Sequence, residues 1–208
     1  SSSVQGGVKG GVCYIRYAST TLNIYGGIIQ GCANTSSTVM NGGAIAIYTG
    51  NINMYGGELR GGSGKMTGGA VYEDYSLNST TNKYDGSSTF NLYGGTIIGS
   101  NQNTKAGGAI RVQGGTFNMY GGTVSNNEAT GQNGGGGVYM SNGTFNMSGG
   151  VISGNSAEYL WDIVGGGVQM NNGTFNMSGT AQIKNNTRNV EGGGTVASNV
   201  LLWNSTIS

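Results

Sequence analysis

The sequence has no proline and no histidine, few charged residues and no long apolar run. Lysine and arginine together number 9 and the acids 8, a net charge of +1 over 208 residues. Without histidine the chain cannot form a Ser-His-Asp or Cys-His catalytic group, and it lacks the commonest metal ligand. Scattered basic residues at near-neutral charge predict no nucleic-acid partner. No apolar stretch reaches about 18 residues, which predicts no membrane-spanning helix.

Glycine is the residue in excess, at 44 positions against an average usage of about 7%. Collagen is excluded, because glycine does not recur at every third residue and proline is absent. Disorder is disfavoured as well, since 36% of the residues are apolar and the charge is near zero. The composition therefore indicates a folded chain with many turns.

A block of the form apolar-Asn-apolar-Tyr/Ser recurs along the chain. Its copies are centred on Asn23, Asn53, Asn91, Asn118, Asn146 and Asn176, with a weaker seventh copy at Trp203-Asn204-Ser205. The asparagines are 27–30 residues apart except for one step of 38. A Gly-Gly-apolar block precedes each copy, as in Gly107-Gly108-Ala109-Ile110, and a third block such as Ile152-Ser153-Gly154-Asn155 follows. The chain is thus a repeat array.

Each repeat contains three short segments in which apolar and polar residues alternate, which is the period of a β-strand. Helices are disfavoured, because glycine costs about 1 kcal/mol at an interior helical position. A unit this short cannot bury its own apolar face, so the copies must stack. We predict one all-β domain over residues 1–208, a parallel β-helix (solenoid) with three strands per rung and about seven rungs. A Greek-key sandwich is the alternative fold, but it does not explain why three segments recur in order.

Alternation also assigns the two faces of the strands. Phe117 and Met119 are predicted to point inwards, and Thr116, Asn118 and Tyr120 outwards. Repeated over the rungs, this pattern predicts an internal phenylalanine ladder and an outer Thr–Asn–Tyr face whose tyrosine column is Tyr25, Tyr55, Tyr93 and Tyr120. In the first strands, the residues predicted to point outwards are Arg111, Tyr139 and Gln169. Left-handed turn conformations are predicted at Asn127, Asn155 and Asn186.

The repeated blocks resemble the repeat pair of chlamydial-type polymorphic outer-membrane passenger domains. They are also similar to adhesin-like right-handed β-helix proteins of bacterial surfaces, and Gly107-Gly108-Ala109-Ile110 matches their first repeat outright. The resemblance covers nearly the whole chain, but Cys32 and Gly62 replace the repeat asparagine and residues 73–88 are inserted. It implies a right-handed, pectin-lyase-like helix on a secreted or surface-displayed protein, with adhesion or surface structure as its role.

The 38-residue step contains an insertion at residues 74–87. Three acids belong to this region: Glu73 directly before the insertion, and Asp74 and Asp85 within it. These carboxylates can ligate calcium through oxygen or act as an acid/base pair on a sugar. The simpler interpretation is a solvated surface loop. Glu73, Asp74 and Asp85 are the candidate calcium ligands, and no other cofactor is expected.

The tyrosine column of the Thr–Asn–Tyr face is the candidate surface for a ligand or a lateral contact. Tyrosines and asparagines can hold carbohydrate, and regular threonines can order water as ice-binding solenoids do, although the second column here is asparagine. The same ladders can instead stabilise the sheet, at about 0.2–1 kcal/mol per contact.

The only two cysteines are Cys13 and Cys32, both in the first rung. An even count in a surface protein permits a disulfide at this end of the solenoid. Two separate buried thiols are an equal alternative.

Enzymatic activity is not expected. A polysaccharide-acting enzyme of pectin-lyase-like fold would need carboxylates clustered on one strand face, and the fold alone does not supply them. The outward columns carry Arg111, Tyr139 and Gln169 without an acid, while Glu58 and Arg60 stand alone on one rung.

The repeat spacing predicts end-to-end stacking. Asn204 would lie 27 residues from Asn23 of a following copy, within the spacing of uninterrupted rungs, so the chain is expected to hold a whole number of rungs. Open strand edges pair with other strands, and contacts that do not close give filaments. We therefore expect a non-catalytic extracellular structural or adhesive solenoid that forms homo-oligomers by stacking. The alternatives are a segment of a larger adhesin binding carbohydrate or a host-surface ligand, a polysaccharide-acting enzyme, and an ice-binding protein.

Overall fold

The structure is a computed structural model. It describes residues 11–17, 19–34, 40–64, 66–73, 77–78, 83–84, 88–99, 101–102, 107–131, 134–158, 164–190 and 193–207. Every regular element in these ranges is a β-strand. They contain no helix with the length and apolar character needed to cross a membrane.

The strands are short, because glycine or asparagine corners interrupt the chain every few residues. In chain order they are β1 (Cys13–Ile15), β2 (Thr21–Ile24), β3 (Ile28–Gln30), β4 (Ala33–Asn34), β5 (Met40–Asn41), β6 (Ile45–Ile47), β7 (Gly50–Met54), β8 (Glu58–Arg60), β9 (Ser63–Gly64), β10 (Met66–Thr67), β11 (Val71–Glu73), β12 (Leu77–Asn78), β13 (Lys83–Tyr84), β14 (Ser88–Leu92) and β15 (Thr96–Ile98). The remaining strands are β16 (Asn101–Gln102), β17 (Ile110–Val112), β18 (Thr116–Met119), β19 (Thr123–Ser125), β20 (Glu128–Ala129), β21 (Val138–Met140), β22 (Thr144–Met147), β23 (Val151–Ser153), β24 (Ser156–Ala157), β25 (Val168–Met177), β26 (Gln182–Lys184), β27 (Thr187–Val190), β28 (Gly194–Ala197) and β29 (Val200–Ile207).

Strands one turn apart pair in parallel, which makes the molecule a β-solenoid. The first strands of the turns stack in the order β1-β6-β11-β17-β21-β25, and the second strands in the order β2-β7-β14-β18-β22-β25. These two columns form one sheet, because β25 runs through both positions and also pairs with β29. The third strands form a six-stranded sheet, β3-β8-β15-β19-β23-β26. The predicted all-β parallel solenoid is confirmed.

Two details of the predicted rung differ from the structure. Each turn carries a short fourth strand after the third, and four of these strands stack as β16-β20-β24-β27. The solenoid also has about five complete turns rather than seven rungs. The six stacked third strands, from β3 to β26, are separated by these five turns. Two-residue segments such as Ser156–Ala157 are too short to show the period of a strand in the sequence.

The seventh asparagine copy is out of register with the other six. Phe175 pairs with Ile207, so Asn204 is not level with Asn176. Asn204 instead lies level with Asn172, at the corner between first and second strands, and both residues are left-handed, with φ of 46° and 58°. The prediction of a whole number of rungs counted Asn204 as a ladder residue, and this register does not support that count.

The core is a set of apolar ladders, as the alternation predicts. Phe90, Phe117, Phe145 and Phe175 are fully buried and stacked, with successive ring centroids 5.2, 4.7 and 4.9 Å apart. Leu92, Met119 and Met147 are buried in the neighbouring column, whereas Met177 in the last turn is 37% exposed. The predicted inner face is therefore correct over the central turns.

Glycine occupies the corner between the first and second strands in most turns, although Ser88 and Ser205 hold this position in two others. Gly143 has a φ of 104°, and a Cβ added there would lie 2.3 Å from the carbonyl oxygen of Gly115. A side chain at this position would separate two consecutive turns.

The corner after the third strand is built differently from the prediction. The left-handed residues are Asn126, Gly154 and Asn185, each one position before the predicted asparagine. Asn127, Asn155 and Asn186 are buried instead. Asn127 Nδ2 donates to Asn155 Oδ1 at 2.9 Å, and Asn155 Nδ2 donates to Asn186 Oδ1 at 2.9 Å. A hydrogen-bonded internal asparagine column therefore fixes this corner, since buried amides are stable only when they are paired.

Candidate functional site

The outer face of the second strands carries three regular columns. The first column is threonine except for one asparagine: Thr21, Asn51, Thr89, Thr116, Thr144 and Thr174. The second is the asparagine ladder Asn23, Asn53, Asn91, Asn118, Asn146 and Asn176. The third begins with Tyr25, Tyr55, Tyr93 and Tyr120 and continues with Ser148 and Ser178. None of these positions holds a charged residue.

The four tyrosines form one continuous stack. Successive ring centroids lie 5.1, 4.9 and 4.9 Å apart, and the ring planes are within 12° of parallel. The side chains are 42–74% exposed. The column predicted as a ligand or lateral-contact face is therefore a real assembly of neighbouring side chains on the surface.

The stacking decides which part of each tyrosine faces solvent. Because consecutive rings are parallel at about van der Waals contact, each ring covers a face of its neighbour. The solvent side of the column therefore consists of ring edges and phenolic hydroxyls. Sugars pack on aromatic ring faces, so the interior rings of this column do not provide the platform that carbohydrate stacking would use.

The asparagine ladder is hydrogen-bonded along the solenoid axis. Each Nδ2 donates to Oδ1 of the asparagine one turn earlier, from Asn53 to Asn23 at 2.9 Å through to Asn176 to Asn146 at 2.7 Å. The asparagine side chain is shorter than that of tyrosine. The ladder therefore forms a lower polar strip beside the tyrosine column.

The outward side of the first strands is packed rather than exposed. Tyr139 is only 4% exposed, and the Arg111 guanidinium lies 5.3 Å from its ring centroid. Arg111 Nη2 and the Tyr72 hydroxyl both donate to Gln113 Oε1, at 3.2 and 3.0 Å. Burial raises the pKa of Tyr139. Arg111, Tyr139 and Gln169 thus point outwards as predicted, but Tyr139 and Gln169 are buried.

Two members of this cluster, Tyr72 and Gln113, were not predicted. Tyr72 pairs with Arg111 in the first-strand column, so aligning Val71-Tyr72-Glu73 with Ile110-Arg111-Val112 would have placed it there. Gln113 lies in the corner after the strand, where the alternating pattern no longer assigns a face.

Glu73 lies inside the solenoid and not on a surface loop. It pairs with Ile47 and Val112 in the inward column of the first strands and is fully buried. Its Oε1 accepts the Thr116 N–H at 3.2 Å, while Oε2 has no hydrogen-bond partner. Burial raises the pKa of Glu73 to about 8, against the opposing effect of hydrogen bonds from Ser88 and Thr116. The carboxyl is therefore mainly neutral at pH 7.

The Glu73 carboxyl lies at the corner between the first and second strands. Its Oε1 accepts the N–H of Thr116, the first residue of β18 in the next turn. At the same corner of the later turns, the N–H groups of Thr144 and Thr174 donate to the carbonyls of Gly115 and Gly143, each at 3.1 Å. Glu73 thus supplies a side-chain acceptor at a corner where the later turns use main-chain carbonyls.

The calcium hypothesis stays a prediction. Asp74 and Asp85 lie outside the described residues, and Glu73 is directed into the core. Among the residues that the structure describes, no group of three or more His, Cys, Asp or Glu side chains is placed to hold a metal ion.

Replacing residues 74–87 with Ser-Asn should leave the solenoid intact. Glu73 and Ser88 are level with Met140 and Gly143, and only Ser141 and Asn142 separate those two residues in an uninterrupted turn. Far-UV circular dichroism and the melting temperature should therefore be close to those of the wild type, and any effect of calcium on melting should disappear. Loss of the β-sheet signal would show that the insertion is part of the core.

The two cysteines are thiols in the structure. Cys32 Sγ donates to the Gly11 carbonyl at 3.2 Å, and Cys13 is half-buried, which raises its pKa. The disulfide between Cys13 and Cys32 stays a prediction.

Glu58 and Arg60 form an ion pair on the outer side of β8. Arg60 Nε lies 2.7 Å from Glu58 Oε1, and this hydrogen bond lowers the pKa of Glu58. In the next turn, Thr96 is level with Glu58 and Ile98 with Arg60, so these two positions provide no second carboxylate. The pair therefore has the character of an exposed surface salt bridge, which solvent screens.

Comparison with family models, with curated proteins and with solved structures finds no match for this chain. The structure defines the class of this protein as a parallel β-solenoid.

Proposed function

We propose that this protein is a non-catalytic structural solenoid of the extracellular space that stacks head-to-tail with further copies into a filament. The observation that carries the proposal is the partly exposed apolar core at both ends of the described solenoid. Its extracellular location is supported by the resemblance of its Gly-Gly-Ala-Ile and asparagine blocks to repeats of surface-displayed proteins. An adhesive role is compatible with the exposed Thr–Asn–Tyr face.

The two ends offer strand edges that can accept another strand. In the described residues, β29 pairs only with β25, and β1, β2 and β3 each have one parallel neighbour. Ile207 at one end is 58% exposed, and the inward Leu22 and Ile29 at the other end are only partly buried against the core. Edges of this kind are templates for pairing, and contact between opposite ends of identical copies gives an open filament.

The inward columns at the two ends are chemically matched. Val200, Leu202 and Ile207 continue the buried columns of Val168, Met170 and Phe175. On a second copy, Cys13, Ile15 and Leu22 occupy the corresponding positions of the first and second strands. Ile15 is already buried in the single chain. Stacking would therefore bury mainly Cys13 and Leu22 of one copy against the exposed side chains of β29, at about 25 cal/mol per Å² of apolar surface. The match covers the first and second strands, since no third strand follows β29 in the described residues.

Ile207→Lys should stop elongation while each subunit stays folded, because it places a charge where the next copy would cover an apolar side chain. The measurement is sedimentation velocity of the 208-residue chain over a range of concentrations, with negative-stain images. Ser125→Lys is the control, since it adds the same charge on the outer side of β19 in the column that already holds Lys184.

The wild type and Ser125→Lys should elongate, and Ile207→Lys should not. A wild type that stays monomeric at every concentration would contradict stacking. That result would favour the second candidate, a segment of a longer surface adhesin in which covalent neighbours cover both ends.

A further inference from the structure

We infer that the Thr–Asn–Tyr face is the contact surface for the same face of a second copy, so that two solenoids pair side by side and in parallel. This inference concerns the flank of the molecule and is independent of contacts at its ends. It rests on three properties of the face: its lack of charge, its profile and the arrangement of its hydrogen-bonding groups.

The lack of charge favours a like partner. No lysine, arginine, aspartate or glutamate occupies any of the three columns. The centres of protein interfaces are depleted in charge and enriched in tyrosine. Two such faces would meet without repulsion, while a strongly charged partner would find no counter-ion here.

The profile of the face is complementary to itself. Tyr25, Tyr55, Tyr93 and Tyr120 form a ridge over four consecutive turns, because large rings stack on one another. The asparagine ladder beside it is lower, since the asparagine side chain is shorter than that of tyrosine, and its amides are bonded to one another along the axis. A ridge next to a parallel groove is what an isologous contact needs.

Only one two-fold arrangement brings the ridge into the groove at every turn. A two-fold axis parallel to the solenoid axis and passing between the tyrosine and asparagine columns sets each ridge on the partner's asparagine strip, with equivalent turns at the same height. An axis perpendicular to the solenoid axis and parallel to the strands would set tyrosine against tyrosine. The face therefore predicts a parallel pair, which is also compatible with two copies elongating in the same direction.

The hydrogen-bonding groups suit this arrangement. An asparagine amide has two N–H groups and an oxygen with two lone pairs, and the ladder uses one N–H of Asn53, Asn91 and Asn118. The exposed edge of the tyrosine stack presents one phenolic hydroxyl per turn, at the spacing of the partner's amides. Stacked aromatic residues and asparagine ladders are also the side chains that pair well between facing parallel sheets.

The size of the face sets the expected affinity. The ridge spans four turns, about 20 Å at about 4.8 Å per turn, so the contact lies at the small end of specific interfaces. We expect a concentration-dependent dimer rather than a permanent one. Because no ion pair takes part, the association should be insensitive to salt.

The test is sedimentation equilibrium in an Ile207→Lys background, in which stacking at the ends is removed. Tyr93→Ser should raise the dissociation constant at least tenfold, because it interrupts the centre of the ridge. Serine already occupies this column at Ser148 and Ser178, so the fold should tolerate the change, and circular dichroism verifies that it does. The control is Tyr17→Ser, which removes a side chain that is 69% exposed and lies outside the three columns.

Dimers that Tyr93→Ser weakens and Tyr17→Ser does not would support the inference. A background variant that is monomeric at all concentrations, or dimers with unchanged affinity in Tyr93→Ser, would overturn it. Saturable binding of the neutral glycan cellohexaose by a monomeric background variant, lost on Tyr93→Ser, would also overturn it and assign the face to carbohydrate. The stacking proposal is tested separately by the Ile207→Lys substitution in an otherwise wild-type chain.

Discussion

Phe117→Ala is expected to lower the free energy of unfolding by about 3–5 kcal/mol, because it leaves a cavity in a close-packed column. Phe117 is fully buried between Phe90 and Phe145, with ring centroids 5.2 and 4.7 Å away. Few other side chains can move into the cavity, because each inward position of a turn is held in place by the equivalent side chains of the turns before and after it. Urea denaturation followed by circular dichroism measures the loss.

Tyr120→Ala is the matched control for this experiment. Tyr120 is three residues from Phe117 in the same turn, and it also stacks on an aromatic neighbour, Tyr93. Its ring lies on the surface, however, so its removal should cost about 1 kcal/mol or less. Equal losses for the two variants would mean that the inner and outer faces of the second strands have been exchanged.

The stability of the protein should fall as the pH rises from about 4.5 to about 8. The ordinary pKa of a glutamate is 4.5, and burial raises the pKa of Glu73 to about 8 in the folded state. Between these values the folded chain keeps a proton that the unfolded chain has lost. The contribution of Glu73 to the free energy of unfolding is therefore fully present below the unfolded-state pKa of 4.5. It falls by about 1.4 kcal/mol per pH unit until the pH passes the folded-state pKa of about 8.

Glu73→Gln should remove this part of the pH dependence. The amide oxygen still accepts the Thr116 N–H, but no charge can form in the core, so the variant should be more stable than the wild type at pH 9. Denaturant titrations at pH 5, 7 and 9 give the two slopes, with Glu58→Gln as a surface control. Parallel slopes for the wild type and Glu73→Gln would show that Glu73 ionises at an ordinary pH.

The architecture was predictable because two patterns repeat along the sequence, the alternation within strands and the spacing between asparagines. Alternation around Phe117 and Asn118 identifies strands and their faces, and the spacing of the asparagines identifies the turn, so both follow from the geometry of strands that must stack. The stacked tyrosines are predictable as a column for the same reason. The plane of their rings is not, since it depends on contacts between turns that alternation does not describe.

Features at corners could not be predicted in this way. Asn204 has the local sequence of a ladder residue, yet its left-handed conformation places it at a corner. Asn127 is buried although a turn asparagine normally faces solvent. In both cases the sequence gives the residue type, and the register with the neighbouring turn decides its role.

Glu73 was missed for a related reason. Alternation alone places it inwards beside Val71, but a carboxylate next to Asp74 reads as part of an acidic loop. Its hydrogen bond to Thr116 depends on a residue 43 positions later in the chain. Likewise, Tyr139 is outward by alternation and buried by packing against Arg111.

The asparagine ladder has a consequence for how such a gene can change in length. Each amide donates to the asparagine one turn earlier, so a duplicated turn could enter anywhere and restore the same bond on both sides. A single inserted residue within a strand would instead turn the following side chains to the opposite face. Length should therefore vary between related genes in whole turns, or by added residues at corners such as the one that residues 74–87 occupy.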